Sequence, residues 1–291
     1  MTERKNHEDP TEDEAQAAER IERLIASPSY LQADEDQAFL MRPEMCAVRL
    51  QLDFWKTEEI LQRQRIEHTV VVYGSTRLVE PRAARERLDL AERAVLSDAT
   101  RAPAVDTAKR LLDKSRFYSI AREFGRLVGS QRATALLPKL AVVTGGGPGI
   151  MEAANRGAFE SGAPSIGLNI SLPHEQRPNP YISPDLCFKL HYFAIRKMHL
   201  LERAKAAVFF PGGYGTCDEL FEVLTLLQTA KIAPLPVVLV GEQYWRRAID
   251  FDFLVDEGTI APNDVDLFTY AESADEIWEA ISAWHCMRRC Q

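Results

Sequence analysis

The stretch PGGYGTCDEL at residues 211–220 combines residue types that suit anion binding. It follows the apolar run AAVFF and precedes the apolar, helix-like stretch FEVLTLLQTAK. Gly212, Gly213 and Gly215 lack a Cβ, so the backbone there can adopt positive φ and approach another molecule closely. Such a loop is either a tight turn or an anion cradle, and a single glycine-rich turn is more often the former.

Two further glycine-rich turns follow strand-like runs. Gly74 and Ser75 come directly after TVVVY, and Gly145 to Gly149 come after LAVVT. In a parallel sheet, ligands bind at the carboxyl ends of the strands, where the first turns of the following helices converge. Helix N-termini supply unpaired N–H groups and a positive dipole end, which suit a phosphate monoester. Three such turns therefore favour a phosphate-bearing ligand.

Strand-like and helix-like segments alternate around these turns. Strands are predicted at TVVVY, LAVVT, PSIGLNI, CFKLHYF, AAVFF and PVVLV, with helical segments between them and near residues 244 and 275. This alternation predicts an α/β fold, a Rossmann-like doubly wound parallel sheet with helices on both faces. We expect an acidic, disordered tail at 1–17, an N-terminal helical extension at 18–67, and a nucleotide-binding catalytic domain at 68–285.

Composition narrows the class of protein. Apolar residues make up 46% and charged residues 27% of the 291 residues, as in folded globular chains. The net charge of −8 argues against binding a nucleic acid polymer. No apolar run approaches the roughly 18–20 residues that cross a bilayer, and the start is charged without an apolar signal region, so we expect no membrane association and a cytoplasmic location.

The sequence lacks several known cofactor and metal patterns. A dinucleotide fingerprint needs a glycine three positions after Gly147, where Ile150 stands, and no GxxxxGK[ST] motif is present. Cys286 and Cys290 lie close to His285, but the second ligand pair of a zinc site is missing. We expect neither a metal nor a cofactor.

Three segments together resemble the LOG family, the cytokinin-activating phosphoribohydrolases and their bacterial relatives. They are GGGPGIMEAANRGA at 145–158, Arg196-Lys197, and PGGYGTCDE at 211–219, which matches PGGxGTxxE at every fixed position. The resemblance covers roughly residues 68–283. The family is often labelled "lysine decarboxylase", but a pyridoxal enzyme needs a Schiff-base lysine, a phosphate cup and a partner for the pyridinium nitrogen. Nothing in the sequence identifies that set.

The resemblance implies hydrolysis of the N-glycosidic bond of a nucleoside 5′-monophosphate to a free base and ribose 5-phosphate. It also implies a homodimer or higher homo-oligomer that needs no cofactor or metal. The catalytic residues would be Arg196 and Glu219. The phosphate- or nucleotide-binding residues would be Gly74, Ser75, Gly146, Gly147, Gly149, Lys197, Gly212, Gly213, Gly215 and Thr216.

The residue types are consistent with that chemistry. A carboxylate can stabilise the oxocarbenium character that develops at the ribose, hold the ribose hydroxyls or activate water. Arg196 can bind the phosphate, or pair with Glu219 and keep its carboxylate ionised. Glu219 alone would be mostly structural, because acidic residues are favoured in the first turn of a helix. Glu152 and Asn155 either reach the pocket or only cap and solvate the helix, and Arg77 is a further candidate.

Two alternatives stay open. Phe193-Ala194 stands where the short plant-type pattern has Met-His, which favours a longer bacterial branch and AMP or another common nucleotide over a cytokinin ribotide. The same glycine turns would also suit a non-catalytic nucleotide-binding protein, or a carrier of a phosphorylated cofactor. The intact GTxxE with an upstream arginine favours the enzyme.

Overall fold

The computed structural model describes residues 12–134, 137–171 and 177–289. The helices in these ranges are α1 (Glu12–Ile25), α2 (Gln37–Leu40), α3 (Cys46–Arg63), α4 (Pro81–Ser97), α5 (Ala102–Lys114), α6 (Arg116–Ser130), α7 (Ile150–Glu160), α8 (Phe193–Glu202), α9 (Tyr214–Gln228), α10 (Glu242–Ala248), α11 (Phe251–Asp256) and α12 (Ala274–Arg289). The strands are β1 (Thr69–Tyr73), β2 (Ala141–Thr144), β3 (Ser165–Ile170), β4 (Cys187–Leu190), β5 (Ala204–Phe209), β6 (Val237–Val240) and β7 (Phe268–Ala271).

The strands of the described chain form one seven-stranded sheet. Its order is β4-β3-β2-β1-β5-β6-β7, and every neighbouring pair is parallel. Strands β1, β2 and β6 are buried along their whole length, which is typical of parallel strands covered by helices on both faces. The predicted fold class, a Rossmann-like doubly wound parallel α/β sheet, is confirmed.

Helices α6, α7 and α12 contribute to the main hydrophobic core, together with inward-facing residues of β1, β2, β5 and β6. Glycines bring α6 and α7 into close contact. A methyl group on Gly125 would overlap the carbonyl oxygen of Ala154, and one on Gly157 would overlap that of Arg122. The α7 backbone that follows the second glycine turn is therefore tightly positioned.

The N-terminal region differs from the predicted boundaries. Residues 1–11 of the predicted tail lie outside the described residues, and α1 begins at Glu12, within that tail, because its Ala, Glu and Arg residues favour a helix. One compact unit ends at Leu52 and the next begins at Asp53, earlier than the predicted start at 68. Asp53 and the rest of α3 thus belong to the unit that contains the sheet.

Two strands differ from the sequence interpretation. The predicted strand CFKLHYF ends at Leu190, because the N–H groups of His191 and Tyr192 bond to the Asp53 carboxylate instead of a neighbouring strand. Edge strand β7 was not predicted. Among the described residues, no helix is both long enough and apolar enough to span a bilayer.

Candidate active site

The three glycine turns lie side by side. They follow β1, β2 and β5, and β1 is the strand between the other two in the sheet. The chain adds β2, β3 and β4 on one side of β1 and then returns to place β5 on the other side, so a crevice opens at the carboxyl end of β1. The backbone joins two of the turns directly, since the Ile150 N–H donates to the Ser75 carbonyl at 3.1 Å.

A cavity of about 650 Å³ occupies this crevice. It is lined by nine of the residues that the sequence nominates: Gly74, Ser75, Arg77, Arg196, Gly212, Gly213, Gly215, Thr216 and Glu219. This volume falls within the range typical of small-molecule sites. The predicted residues therefore converge on one pocket from the first and third turns and from α8 and α9.

Arg196 and Glu219 form an ion pair in the pocket. The Arg196 Nη2 donates to Glu219 Oε1 at 3.1 Å, and each side chain is 13% exposed. The guanidinium also lies over the Phe193 ring, 5.0 Å from its centroid. Its Nε is buried and has no hydrogen-bond partner among the described atoms.

The protonation of Glu219 differs from the expectation. Burial raises the pKa of its carboxyl to about 7, and this effect outweighs the Arg196 charge, which lowers the pKa; Asp218 raises it further. The charge of Arg196 favours the ionised carboxylate, as expected, but it does not offset the effect of burial on the pKa of Glu219. Glu219 is poised to exchange a proton near neutral pH, which is the range that general acid–base catalysis requires.

The loop before α9 leaves space next to its backbone. Gly212, Gly213 and Gly215 do not adopt positive φ, which argues against the tight-turn interpretation. A Cβ on Gly212 would overlap Thr216, whereas one on Gly213 or Gly215 would meet no described atom within 4 Å. Internal packing thus does not explain two of the glycines. The first turn of α9 has no side-chain cap, so its N–H groups are available to an anion.

The second glycine turn lies behind the cavity wall. Gly145 lines the cavity, but the predicted Gly146, Gly147 and Gly149 do not. Gly146 and Gly149 have φ of 73° and 75°, a left-handed conformation that favours glycine. The Gly147 carbonyl accepts from Asn179 at 3.1 Å. These glycines shape the turn instead of lining the pocket.

Asn155 and Glu152 also have structural partners. Asn155 is fully buried, accepts from Thr144 Oγ1 at 2.6 Å and donates to Ser165 Oγ at 2.8 Å. Glu152 accepts from Tyr118 Oη at 2.9 Å. Neither side chain lines the cavity. For both residues, the geometry favours the structural interpretation that the sequence left open.

Lys197 points away from the pocket. Its Nζ lies 2.7 Å from Asp218 and 3.3 Å from Glu222, so it joins α8 to α9 on their outer side. Consecutive helical residues project about 100° apart, so Lys197 faces a different direction from Arg196. Lys197 does not line the cavity, and the geometry gives no support to the prediction that it binds phosphate.

Several lining residues escaped the sequence interpretation. Lys114 comes from the end of α5, Asn169 from β3 and Tyr244 from α10, and Tyr244 Oη donates to the Gly212 carbonyl at 2.5 Å. Phe193 and Tyr214 add exposed aromatic surface at the rim. No local motif marks the first three residues, because only the fold brings them to the cavity.

Helix α3 positions the helix that carries Arg196. The Asp53 carboxylate accepts the N–H groups of His191 and Tyr192 at 2.6 and 3.0 Å, just before α8 begins. Farther along α8, the His199 ring stacks on Phe54 at 4.8 Å. These contacts restrict both translation and rotation of α8 against the sheet.

Comparisons with known proteins agree with the geometry. A family model described as "Possible lysine decarboxylase" matches residues 151–281. A cytokinin riboside 5′-monophosphate phosphoribohydrolase of Arabidopsis thaliana is 31% identical over 140 residues, 47% of this chain and 64% of that protein. The resemblance to the LOG family is confirmed.

Other relatives match over different shares of their length. The pyrimidine/purine nucleotide 5′-monophosphate nucleosidase of Escherichia coli K12 is 32% identical over 149 residues, 46% of this chain and 30% of that protein. This chain thus spans less than two thirds of either named relative. A solved structure titled TM1055, a structural genomics target, has a TM-score of 0.44 and 20% identity, over 74% of this chain and 99% of its own.

Proposed function

We propose that this protein hydrolyses the N-glycosidic bond of nucleoside 5′-monophosphates. The observation that carries the proposal is the buried Arg196–Glu219 pair, which lies in the same cavity as the uncapped N-terminus of α9. The helix end suits a phosphate monoester, and the carboxylate suits the positive charge that develops at the ribose. The names of the plant and bacterial relatives support the same reaction class.

Each group has a defined task in this proposal. The 5′-phosphate binds the backbone around Gly213 and Gly215 and the guanidinium of Arg196, which lines the cavity. Water adds its oxygen to ribose C1′ while the bond from C1′ to the base nitrogen breaks, and the released base gains a proton. The ionised Glu219 carboxylate stabilises the oxocarbenium character at C1′ and accepts a proton from the attacking water. The products are the free base and ribose 5-phosphate.

The first substrate to test is AMP. Phe193 and Tyr214 at the rim offer stacking surface to any base, and neither selects one base by hydrogen bonding. The Phe193-Ala194 sequence departs from the plant-type Met-His, which argues against a dedicated cytokinin enzyme. The Escherichia coli relative, whose name includes both purine and pyrimidine nucleotides, supports broad base acceptance.

The deciding experiment offers the purified protein AMP, GMP, CMP and isopentenyladenosine monophosphate, and measures free base and ribose 5-phosphate. We expect turnover of at least one common nucleotide. Tight binding without release of base from any of them would refute the hydrolase and favour the nucleotide-binding or carrier function. Light scattering on the same sample tests the homodimer or higher oligomer that the family resemblance supports.

A further inference from the structure

A second cluster of ionisable side chains lies between α3 and α8, outside the cavity described above. It contains Glu58 from α3 and His199 and Glu202 from α8, with Arg203 directly after that helix. The residues of this cluster do not line the cavity that holds Arg196 and Glu219. His199 and Glu58 are 2% and 6% exposed, so unmet hydrogen-bonding groups here are costly.

The partner of His199 defines its tautomer. Nε2 lies 3.2 Å from the Phe54 carbonyl oxygen, and a carbonyl only accepts, so Nε2 carries the proton. With the proton on Nε2, the neutral ring presents a lone pair at Nδ1. A backbone carbonyl that holds the other ring nitrogen is the usual support of a metal-binding histidine.

Two carboxylate oxygens converge on Nδ1. Glu58 Oε2 and Glu202 Oε2 each lie 4.0 Å from it. Nδ1 and Glu58 Oε2 are both buried without a hydrogen-bond partner among the described atoms. The other Glu58 oxygen, Oε1, already accepts from Gln62 and from Arg203, which orients Oε2 toward the histidine. Arg203 Nη1 lies 4.0 Å from Glu202 Oε2, too far for a hydrogen bond, so no described donor is within hydrogen-bond distance of Nδ1 or of Glu58 Oε2.

We propose that Glu58, His199 and Glu202 bind a divalent transition-metal ion, with Zn²⁺ the first candidate. One ligand atom from each residue lies within 4.8 Å of the others. A triangle with two sides of 4.0 Å and a third no longer than 4.8 Å has its centre at most about 2.5 Å from each corner, against about 2.0–2.2 Å for zinc bonds to nitrogen and oxygen. Side-chain movements of a few tenths of an ångström close that difference.

The surroundings suit a bound cation. The two carboxylates and the Arg203 guanidinium sum to a charge of −1 while the histidine is neutral. Imidazole with carboxylate ligands matches zinc and its neighbours better than Ca²⁺ or Mg²⁺. Glu202 is exposed and provides an entry path, and water completes the coordination. The ion would join α3 to α8, the helix that carries Arg196. This role is structural and is separate from the proposed reaction.

The test is calorimetric titration of the full chain, freed of metal by a chelator, with ZnCl₂. We expect one equivalent to bind, together with a rise in thermal midpoint. Glu202→Gln keeps the size of the side chain at an exposed position and should weaken the affinity at least tenfold. Glu279→Gln changes an exposed position of α12, outside the cluster, and is the matched control that should leave the affinity unchanged.

Cobalt(II) distinguishes this site from the C-terminal cysteines. A Co²⁺ ion bound by nitrogen and oxygen ligands shows visible ligand-field bands and no sulfur-to-cobalt charge-transfer band. Glu202→Gln should alter the ligand-field bands. His199→Gln should abolish them if the variant folds, which circular dichroism verifies. Absence of stoichiometric binding, a thiolate charge-transfer band, or equal affinity of the Glu202→Gln and Glu279→Gln variants would overturn the proposal.

Discussion

Substitution of Glu219 by glutamine, measured across pH, tests the central assignment in two independent ways. Burial raises the pKa of this carboxyl from an ordinary value of 4.5 to about 7 in the folded protein. Glutamine keeps the shape and removes the titration. The wild type and the Glu219→Gln variant should therefore differ in a manner that depends on pH and that a merely structural contact would not produce.

The stability effect follows from proton linkage. Between pH 4.5 and 7 the folded protein retains a proton that the unfolded chain releases, so the unfolding free energy falls as pH rises through this window. For pKa values of 4.5 and about 7, the loss from pH 5 to pH 8 is about 2.5 kcal/mol, at about 1.36 kcal/mol per unit. The variant lacks this loss, so its stability relative to the wild type should rise by about 2.5 kcal/mol over that range.

The kinetic effect has the opposite dependence on pH. The ionised carboxylate is the active form, and its fraction rises about tenfold between pH 6 and pH 8 for a pKa of about 7. Wild-type kcat/KM should rise accordingly. Loss of general base function typically reduces the rate by about 10²–10⁴-fold, and the residual activity of Glu219→Gln should not show this rise.

The assays are urea denaturation at pH 5 and pH 8, and release of ribose 5-phosphate from AMP at closely spaced pH values. A variant that retains near-wild-type kcat would refute the role of Glu219. A wild-type profile that falls from pH 6 to pH 8 would show that the protonated carboxyl acts as an acid. Parallel stability curves for the two proteins would refute the raised pKa.

Three further substitutions, one with a matched control, test the pocket and the elements that position it. Arg196→Lys keeps the charge but loses the planar fork, so kcat/KM should fall about 10- to 100-fold in steady-state assays, and equal rates would argue against phosphate or carboxylate orientation by this arginine. Gly215→Ala should leave the melting temperature nearly unchanged, because the added Cβ meets no described atom, yet it should raise KM for the nucleotide. The control Gly125→Ala, whose Cβ overlaps the backbone of α7, should instead lower the melting temperature. Asp53→Ala removes the acceptor of two N–H groups at the start of α8 and should lower the free energy of unfolding by about 1 kcal/mol. We also expect kcat to fall by a larger factor than KM rises; an unchanged kcat would show that α3 does not position Arg196 for the reaction.

The glycine turns were predictable because strand order follows from few rules. Parallel strands joined by helices place their carboxyl ends on one edge, so turns after successive strands must meet there. The position of Glu219 in the helix differs from the sequence interpretation, which put it in the first turn. Helix α9 begins at Tyr214, so Glu219 lies in the second turn, at the pocket. Periodicity and turn chemistry sufficed for the turns themselves, and no long-range contact had to be inferred.

Residue roles that depend on direction were harder to predict. Lys197 neighbours Arg196 in sequence, but the helix turns it toward Asp218 and Glu222. Gly146 and Gly149 serve the backbone of a turn whose only glycine at the cavity is Gly145. A motif specifies which residues occur together in the sequence. The direction in which each of their side chains points depends on how α7 and α8 pack.

Other contributions come from elements distant in sequence. Lys114 reaches the cavity from the end of α5, and Asp53 fixes the start of α8 from α3. The long segment before the second glycine turn and the N-terminal helices lack any signal of their own. The contacts that α5 and the second half of α3 make depend on tertiary packing, which hydrophobic periodicity describes only as an apolar face.

The placement of Glu219 bears on the choice between enzyme and carrier. A protein that only holds a phosphorylated ligand gains nothing from a carboxylate in the same cavity, because an ionised carboxylate repels the phosphate and its burial is unfavourable. This pocket contains such a carboxylate, 13% exposed and paired with an arginine. The cost of burying the carboxylate is offset if positive charge develops at the ribose during the reaction, because the attraction between the two then strengthens in the transition state. The arrangement therefore favours the hydrolase.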